Sequence, residues 1–149
     1  MSMDAGGDVE GHVKEMEEKS GWSKPRQGRV KVNVDAAVLE GIRVGWGSVG
    51  RDEQGKVLWY AVTQQRSEMS VGMAEAVGIW HGLEEAIKEG HQEIDMESDC
   101  AVVVGDLQRR AKGRSELHLV YDDIYLLCNS FQNVCFKFTR RKNNKVAHK

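Results

Sequence analysis

From Arg29 to Phe138 the spacing of apolar residues changes period in a set order, and that order restricts the fold more than any other property of the chain. Val30, Val32 and Val34 alternate with polar neighbours up to Asp35, the period of a half-buried strand. This first strand is expected to end on the acid. Ile42–Val49 and Val57–Gln65 are rich in β-branched and aromatic residues, and Asp52-Glu53-Gln54-Gly55 between them offers a turn whose glycine can take a positive φ. The period then lengthens: Ala76, Ile79, Trp80, Leu83 and Ile87 recur at helical spacing, with Ser70 ahead as a cap and Gly90 behind as a stop. Glu93–Glu97 reads as a short strand and Ser98-Asp99 as the entry to a helix bearing Val102, Val103 and Leu107. Glu116–Asn129 reads as a third helix and Asn133–Phe138 as a last, alternating strand.

The resulting order, β-β-β-α-β-α-α-β, predicts an antiparallel meander followed by two helical crossovers. Crossovers are what parallel strands need, so the expected fold is α/β: a mixed five-stranded sheet with helices on its faces. Residues 1–27 are polar, contain the only proline (Pro25) and show one weak helical stripe at Val9, Val13 and Met16. They read as a flexible leader to a single domain spanning 28–149, a size that 149 residues accommodate comfortably.

Composition removes several classes of function. Apolar runs such as Ala101–Gly105 fall far short of the roughly 18–20 residues that cross a bilayer, and the first 21 residues carry no legible secretory or organelle signal. The chain therefore reads as intracellular, nuclear or cytoplasmic, and a monomer is expected. Cys100, Cys128 and Cys135 are odd in number and lack CxxC spacing, as reduced thiols would be. A net charge of −2 means that any contact with nucleic acid must come from local basic patches.

Three acids stand where chemistry is possible. Asp35 closes the first strand, Glu75 lies in the first turn of the first helix, and Asp99 follows the fourth strand. If the first and fourth strands are adjacent and parallel, their C-terminal ends set Asp35 beside Asp99, at the edge where open α/β sheets bind ligands. Carboxylates gathered this way repel one another unless a cation sits among them. An all-oxygen ligand set selects hard cations such as Mg²⁺ or Mn²⁺, and two ions about 3.5–4 Å apart suit phosphodiester hydrolysis. The structural alternative is that Asp99 caps a helix and Glu75 favours its dipole.

Val32-Asn33-Val34-Asp35, Gly45-Trp46-Gly47 with Arg51-Asp52-Glu53-Gln54-Gly55, Ala74-Glu75-Ala76, Glu97-Ser98-Asp99 and Asn144-Lys145-Val146-Ala147-His148 resemble, in this order, the type 1 ribonuclease H family. The resemblance is strongest to the plant ribonuclease-H-like domains found alone or at the end of non-LTR retroelement reverse transcriptases, which Trp22 and Pro25 also fit. It covers about 120 residues and implies the ribonuclease-H-like fold, nucleic-acid binding and two-metal cleavage of the RNA strand of an RNA–DNA hybrid. Carried over by motif, Asp35 would take both metals, Glu75 one of them together with the attacking water, and Asp99 would complete the set. The family's fourth acidic position falls on His148, an imidazole that suits softer cations better than Mg²⁺. Ala36 stands where the family places a glycine that lets the backbone approach substrate. Lys149 falls where the family begins a final helix, so a domain truncated at its C-terminus and lacking that helix is expected.

Two basic stretches flank these motifs: Arg109, Arg110, Lys112 and Arg114 after the second helix, and Arg140, Arg141, Lys142, Lys145 and Lys149 near the acidic edge. The first reads as solvated surface. The second is either a solvated basic loop or placed to contact phosphates without reading sequence, with Arg140, Arg141 and Lys145 as its candidates. Ser70 is either a donor to a phosphate or 2′-hydroxyl or simply the helix cap. Trp46, Trp59 and Trp80 have the spacing of core residues, and His81, His91 and His118 have no ligand-like spacing. Two functions remain open: a metal-dependent hybrid endonuclease, or a retroelement-derived nucleic-acid-binding or interaction module with weak or absent turnover. Fold alone does not separate them.

Overall fold

The computed structural model describes residues 28–39 and 42–140. The leader (1–27) and the end of the basic tail, with Arg141, Lys145 and His148, lie outside the described residues.

Eight elements follow in the expected order: β1 (Val30–Leu39), β2 (Arg43–Arg51), β3 (Val57–Arg66), α1 (Val71–Lys88), β4 (Glu93–Ser98), α2 (Ala101–Gln108), α3 (Glu116–Cys128) and β5 (Asn133–Phe138). The sheet order is β3-β2-β1-β4-β5. β1, β2 and β3 form the antiparallel meander, and β4 pairs parallel with β1 on one side and β5 on the other. At the β2–β3 turn Gly55 has φ +83°, and beyond α1 Gly90 has φ +78°, the left-handed geometry that glycine reaches without a Cβ penalty.

One expectation fails. β1 does not end at Asp35 but continues four residues to Leu39. The reason is that β1 has two neighbours of different length. Its parallel pairing with β4 ends at Asn33↔Glu97, while its antiparallel pairing with β2 runs on to Leu39↔Arg43. Asp35 thus lies just past the point where β4 leaves β1, in a strand still held on its other side.

The core fills one face of the sheet. The parallel registers align Val32, Met96 and Phe136 across three strands, with Val30, Ile94 and Val134 one pair below. Ala76, Ile79, Leu83 and Ala86 of α1 pack on this ladder, joined by Val103, Val104 and Leu107 of α2 and Tyr121 and Ile124 of α3. Ile79, Leu83, Leu107 and Ile124 are all 0% exposed, and each contributes roughly 1.5–3 kcal/mol by the transfer of its side chain from water. The tryptophans behave as core: Trp46 and Trp59 are buried, and their rings meet His81 and His91.

Candidate metal centre

The opposite alternation of β1 and β4 builds the approach to the site. Lys31 faces Asp95, and Asn33 faces Glu97. These polar residues are buried, together with Arg29. They satisfy one another: Arg29 Nε donates to Asp95 Oδ1 at 2.8 Å, Lys31 Nζ lies 3.2 Å from Glu97 Oε2, Asn33 Nδ2 donates to Glu97 Oε1 at 3.2 Å, and Lys137 Nζ of β5 reaches Asp95 Oδ2 at 3.3 Å. Sequence reasoning missed this ladder, because alternating polar residues normally mean solvent. Its signal was nonetheless present, since a cation or an amide of β1 faces an acid of β4 once the strands are set side by side.

Two residues further along the same register, the ladder passes from paired charges to carboxylates. Asp35 of β1 and Asp99, just beyond β4, meet Glu75 of α1, and one ligand oxygen from each lies within 4.8 Å of the other two. Asp35 and Glu75 are buried, and Asp99 is half-buried. The structure therefore brings together the three acids that the sequence singled out.

Neighbouring residues fix where these acids point. Ser98, fully buried, donates from Oγ to Glu75 Oε2 at 3.4 Å and accepts from the Cys100 backbone N–H at 3.2 Å. The N-terminal part of α1 is pinned to β2 by Trp46, whose indole N–H donates to the Ala74 carbonyl at 2.7 Å. Neither Ser98 nor Trp46 stood out in the sequence as a support of the site. The structural alternatives weaken in turn. α2 takes Cys100 as its N-cap residue, and the Cys100 N–H is received by Ser98. Glu75 is the fifth residue of α1, whose first turn contains no acid, so it sits past the reach of the helix-end dipole; placing it in the first turn was an error of one residue at the cap. The Cys100 thiol is pushed up by burial, with Glu75 and Asp99 adding to the rise against backbone N–H contacts, so it stays protonated at neutral pH.

Other expected positions are distributed around this edge. Ala36 is half-buried in β1, opposite Trp46 of β2. Ser70 is exposed and acts as the N-cap of α1, its Oγ accepting from Met73 N–H at 3.1 Å; the hydroxyl proton is not used in that bond. The Thr139 N–H donates to the Ser98 carbonyl at 3.0 Å, which brings the segment after β5, and with it exposed Arg140, to the end of β4 that leads into Asp99. Arg141, Lys145 and His148 lie outside the described residues. No helix among the described residues is long and apolar enough to cross a membrane.

The fold is shared with proteins of known structure. The N-terminal RNase H domain of a Mycobacterium tuberculosis protein, solved as a fusion with maltose binding protein, superposes with a TM-score of 0.71 at 24% identity, covering 80% of this chain and 87% of that one. RNase H1 from Halobacterium salinarum gives 0.73 at 20% identity, covering 80% and 92%. LC11-RNase H1, solved in complex with an RNA/DNA hybrid, gives 0.72 at 20% identity, covering 80% and 91%. No curated protein matches the chain by sequence. The sequence pattern of the reverse transcriptase-like family matches residues 33–149. With that match spanning most of the chain and carrying all three clustered acids, the protein belongs to the reverse transcriptase-like family and its domain is ribonuclease-H-like.

Proposed function

We propose that this domain is a metal-dependent endonuclease that hydrolyses the RNA strand of RNA–DNA hybrids. The observation that carries the proposal is the convergence of Asp35, Glu75 and Asp99, whose ligand oxygens lie within 4.8 Å of one another. Such an all-oxygen, anionic set fits Mg²⁺ or Mn²⁺. When bound, two such ions stabilise the charge that develops on the attacking and leaving oxygens of a phosphodiester. Asp35, Glu75 and Asp99 would hold them, Asp35 contributing to both.

The chain's own residues orient this set. Ser98 restrains Glu75 through its hydroxyl, and Trp46 holds the start of α1 against the sheet. For the substrate, Arg140, Arg141 and Lys145 are assigned to phosphates, and Ala36 and Ser70 to the minor-groove side of the hybrid, where a hydroxyl donor can meet a 2′-OH. His148, on the family's fourth acidic motif position, is assigned the tuning of the site's charge. A fold neighbour solved on an RNA/DNA hybrid supports this choice of substrate. The plant retroelement branch rests on the motifs around Trp22, Asp35 and His148.

The test is cleavage of a labelled RNA–DNA hybrid beside RNA and DNA duplex controls, in Mg²⁺ and then Mn²⁺. Hybrid-specific cutting that Asp35→Asn abolishes while its circular dichroism spectrum is retained is the expected result. A folded wild type that cuts nothing with either metal would overturn the enzyme reading and leave a nucleic-acid-binding module on the same scaffold.

A further inference from the structure

A groove of about 880 Å³ opens at the opposite edge of the sheet from the carboxylates, between the α2–α3 loop, the second half of α3 and the start of β5. Asp99 precedes α2 and Arg110 follows it, so the eight residues of α2, at about 1.5 Å each, separate the two places by roughly 12 Å along the helix alone. The groove is distinct from the candidate metal centre.

Its chemistry is that of an anion site. Two cations converge on one ring: the Arg110 guanidinium lies 5.0 Å, and Lys112 Nζ 4.8 Å, from the centre of Tyr125. An aromatic face attracts a cation, but gathering two at one ring sets like charges against each other. Asp122, 3.5 Å from Lys112 Nζ, offsets one of them, which leaves a net positive charge in the groove.

Arg110 is also held in an unusual backbone conformation. It is the only non-glycine described residue with positive φ, at 55°. Its N–H bonds the Leu107 carbonyl at 3.2 Å and the next N–H bonds the Asp106 carbonyl at 2.9 Å, which closes α2 in the manner that normally calls for glycine. An arginine kept where glycine is favoured points to use of its side chain. The guanidinium is further braced 5.9 Å from the Phe136 ring, while the residue as a whole stays exposed. Beside it, the exposed amides of Asn129 and Gln132 line the same groove.

We propose that this groove binds a nucleotide, with its phosphate between Arg110 and Lys112 and its base edge on Asn129 and Gln132. A groove of this size is in the range that takes drug-sized ligands, with room for sugar and base beside the phosphate. A free mononucleotide and the end of a single strand offer the same unit.

The test is calorimetric titration of the full chain in EDTA with AMP, adenosine, inorganic phosphate and a short oligothymidylate. AMP should bind saturably and at least tenfold more tightly than phosphate or adenosine. Arg110→Gly, which suits the left-handed backbone, should weaken AMP at least tenfold without lowering the melting temperature. Lys112→Gln should weaken it several-fold, and Asp122→Asn, which removes the competing carboxylate, should tighten it. An oligonucleotide that binds more tightly than AMP identifies a strand end as the source; the reverse identifies a free nucleotide. Absence of saturable AMP binding in EDTA, phosphate binding as tight as AMP, or affinity unchanged by both Arg110→Gly and Asp122→Asn would overturn the proposal.

Discussion

Among the glycines of α1, Gly82 leaves the least room for a Cβ, and replacing it with alanine tests how tightly the helix carrying Glu75 is set. A Cβ at this position would lie 2.7 Å from Val34 Cγ1, 3.2 Å from Met96 Cε and 3.4 Å from Val32 Cγ1. Carbon atoms pack at about 3.5–4.0 Å, so the contact with Val34 is short by roughly 1 Å. Met96 Cε is the end of a flexible chain and can move aside, but Val34 is β-branched, stiff at χ1 and 1% exposed. Overpacking of this kind costs about 1–3 kcal/mol, against a gain of about 1 kcal/mol for replacing glycine within a helix. The expected net loss is about 1 kcal/mol, a fall in Tm of roughly 3–6 °C for a domain of this size. The assay is urea and thermal unfolding of Gly82→Ala, Val34→Ala and the double variant. Because the clash is with Val34, the double variant should be more stable than the sum of the singles predicts, by at least roughly 0.5 kcal/mol. Lifting α1 also moves Glu75, two turns earlier on the same helix, so Gly82→Ala should bind Mn²⁺ more weakly by calorimetry. An alanine variant more stable than wild type, with no coupling to Val34, would refute this account of the α1–sheet contact.

Gly50→Ala should displace Trp59, whose ring carbons come within 2.2–2.4 Å of the added Cβ; the expected readouts are a red-shifted tryptophan emission and a loss of about 1–3 kcal/mol in urea unfolding, and an unchanged spectrum would contradict the packing. Asp95→Ala should cost roughly 3 kcal/mol, because it takes from buried Arg29 its partner at 2.8 Å and leaves only the more exposed Glu93 carboxylate, 4.0 Å away; Asp95→Ala with Arg29→Met should recover part of the loss, and no recovery would show that the pair is not the source. Burial pushes the His81 imidazole below its usual 6.5, with Glu84 and Glu85 opposing in part. The unfolded chain then binds the proton more readily, so this contribution to stability is complete above about pH 6.5 and is lost as pH falls towards the lower, folded value. Unfolding free energies measured from pH 7.5 to 5 should therefore fall less steeply in His81→Gln than in wild type, and parallel slopes would remove His81 as the cause.

The parts of the fold that were legible are those in which local pattern and tertiary role agree. The valines of β1, the helical stripe of α1 between Ser70 and Gly90, and the alternation of β5 each bury on one face, so their period survives in the sequence. What was not legible depends on a neighbour remote in the chain. Nothing local tells β1 to run past Asp35, since Ala36–Leu39 are held by β2 alone. Nothing local marks Lys31, Asn33, Asp95 and Glu97 as buried, because each is polar and is tolerated inside through partners on a neighbouring strand or, for Asp95, on Arg29 ahead of β1 as well. The candidate metal centre shares this dependence and differs in one respect. Up to Asn33↔Glu97 the register sets cation or amide against acid, and the strands satisfy each other. From Asp35 and Asp99 onward it sets acid beside acid and adds Glu75 from the helix side. A sheet that pairs its buried charges along one stretch and gathers like charges where β1 and β4 part is arranged, at that point, to receive a cation.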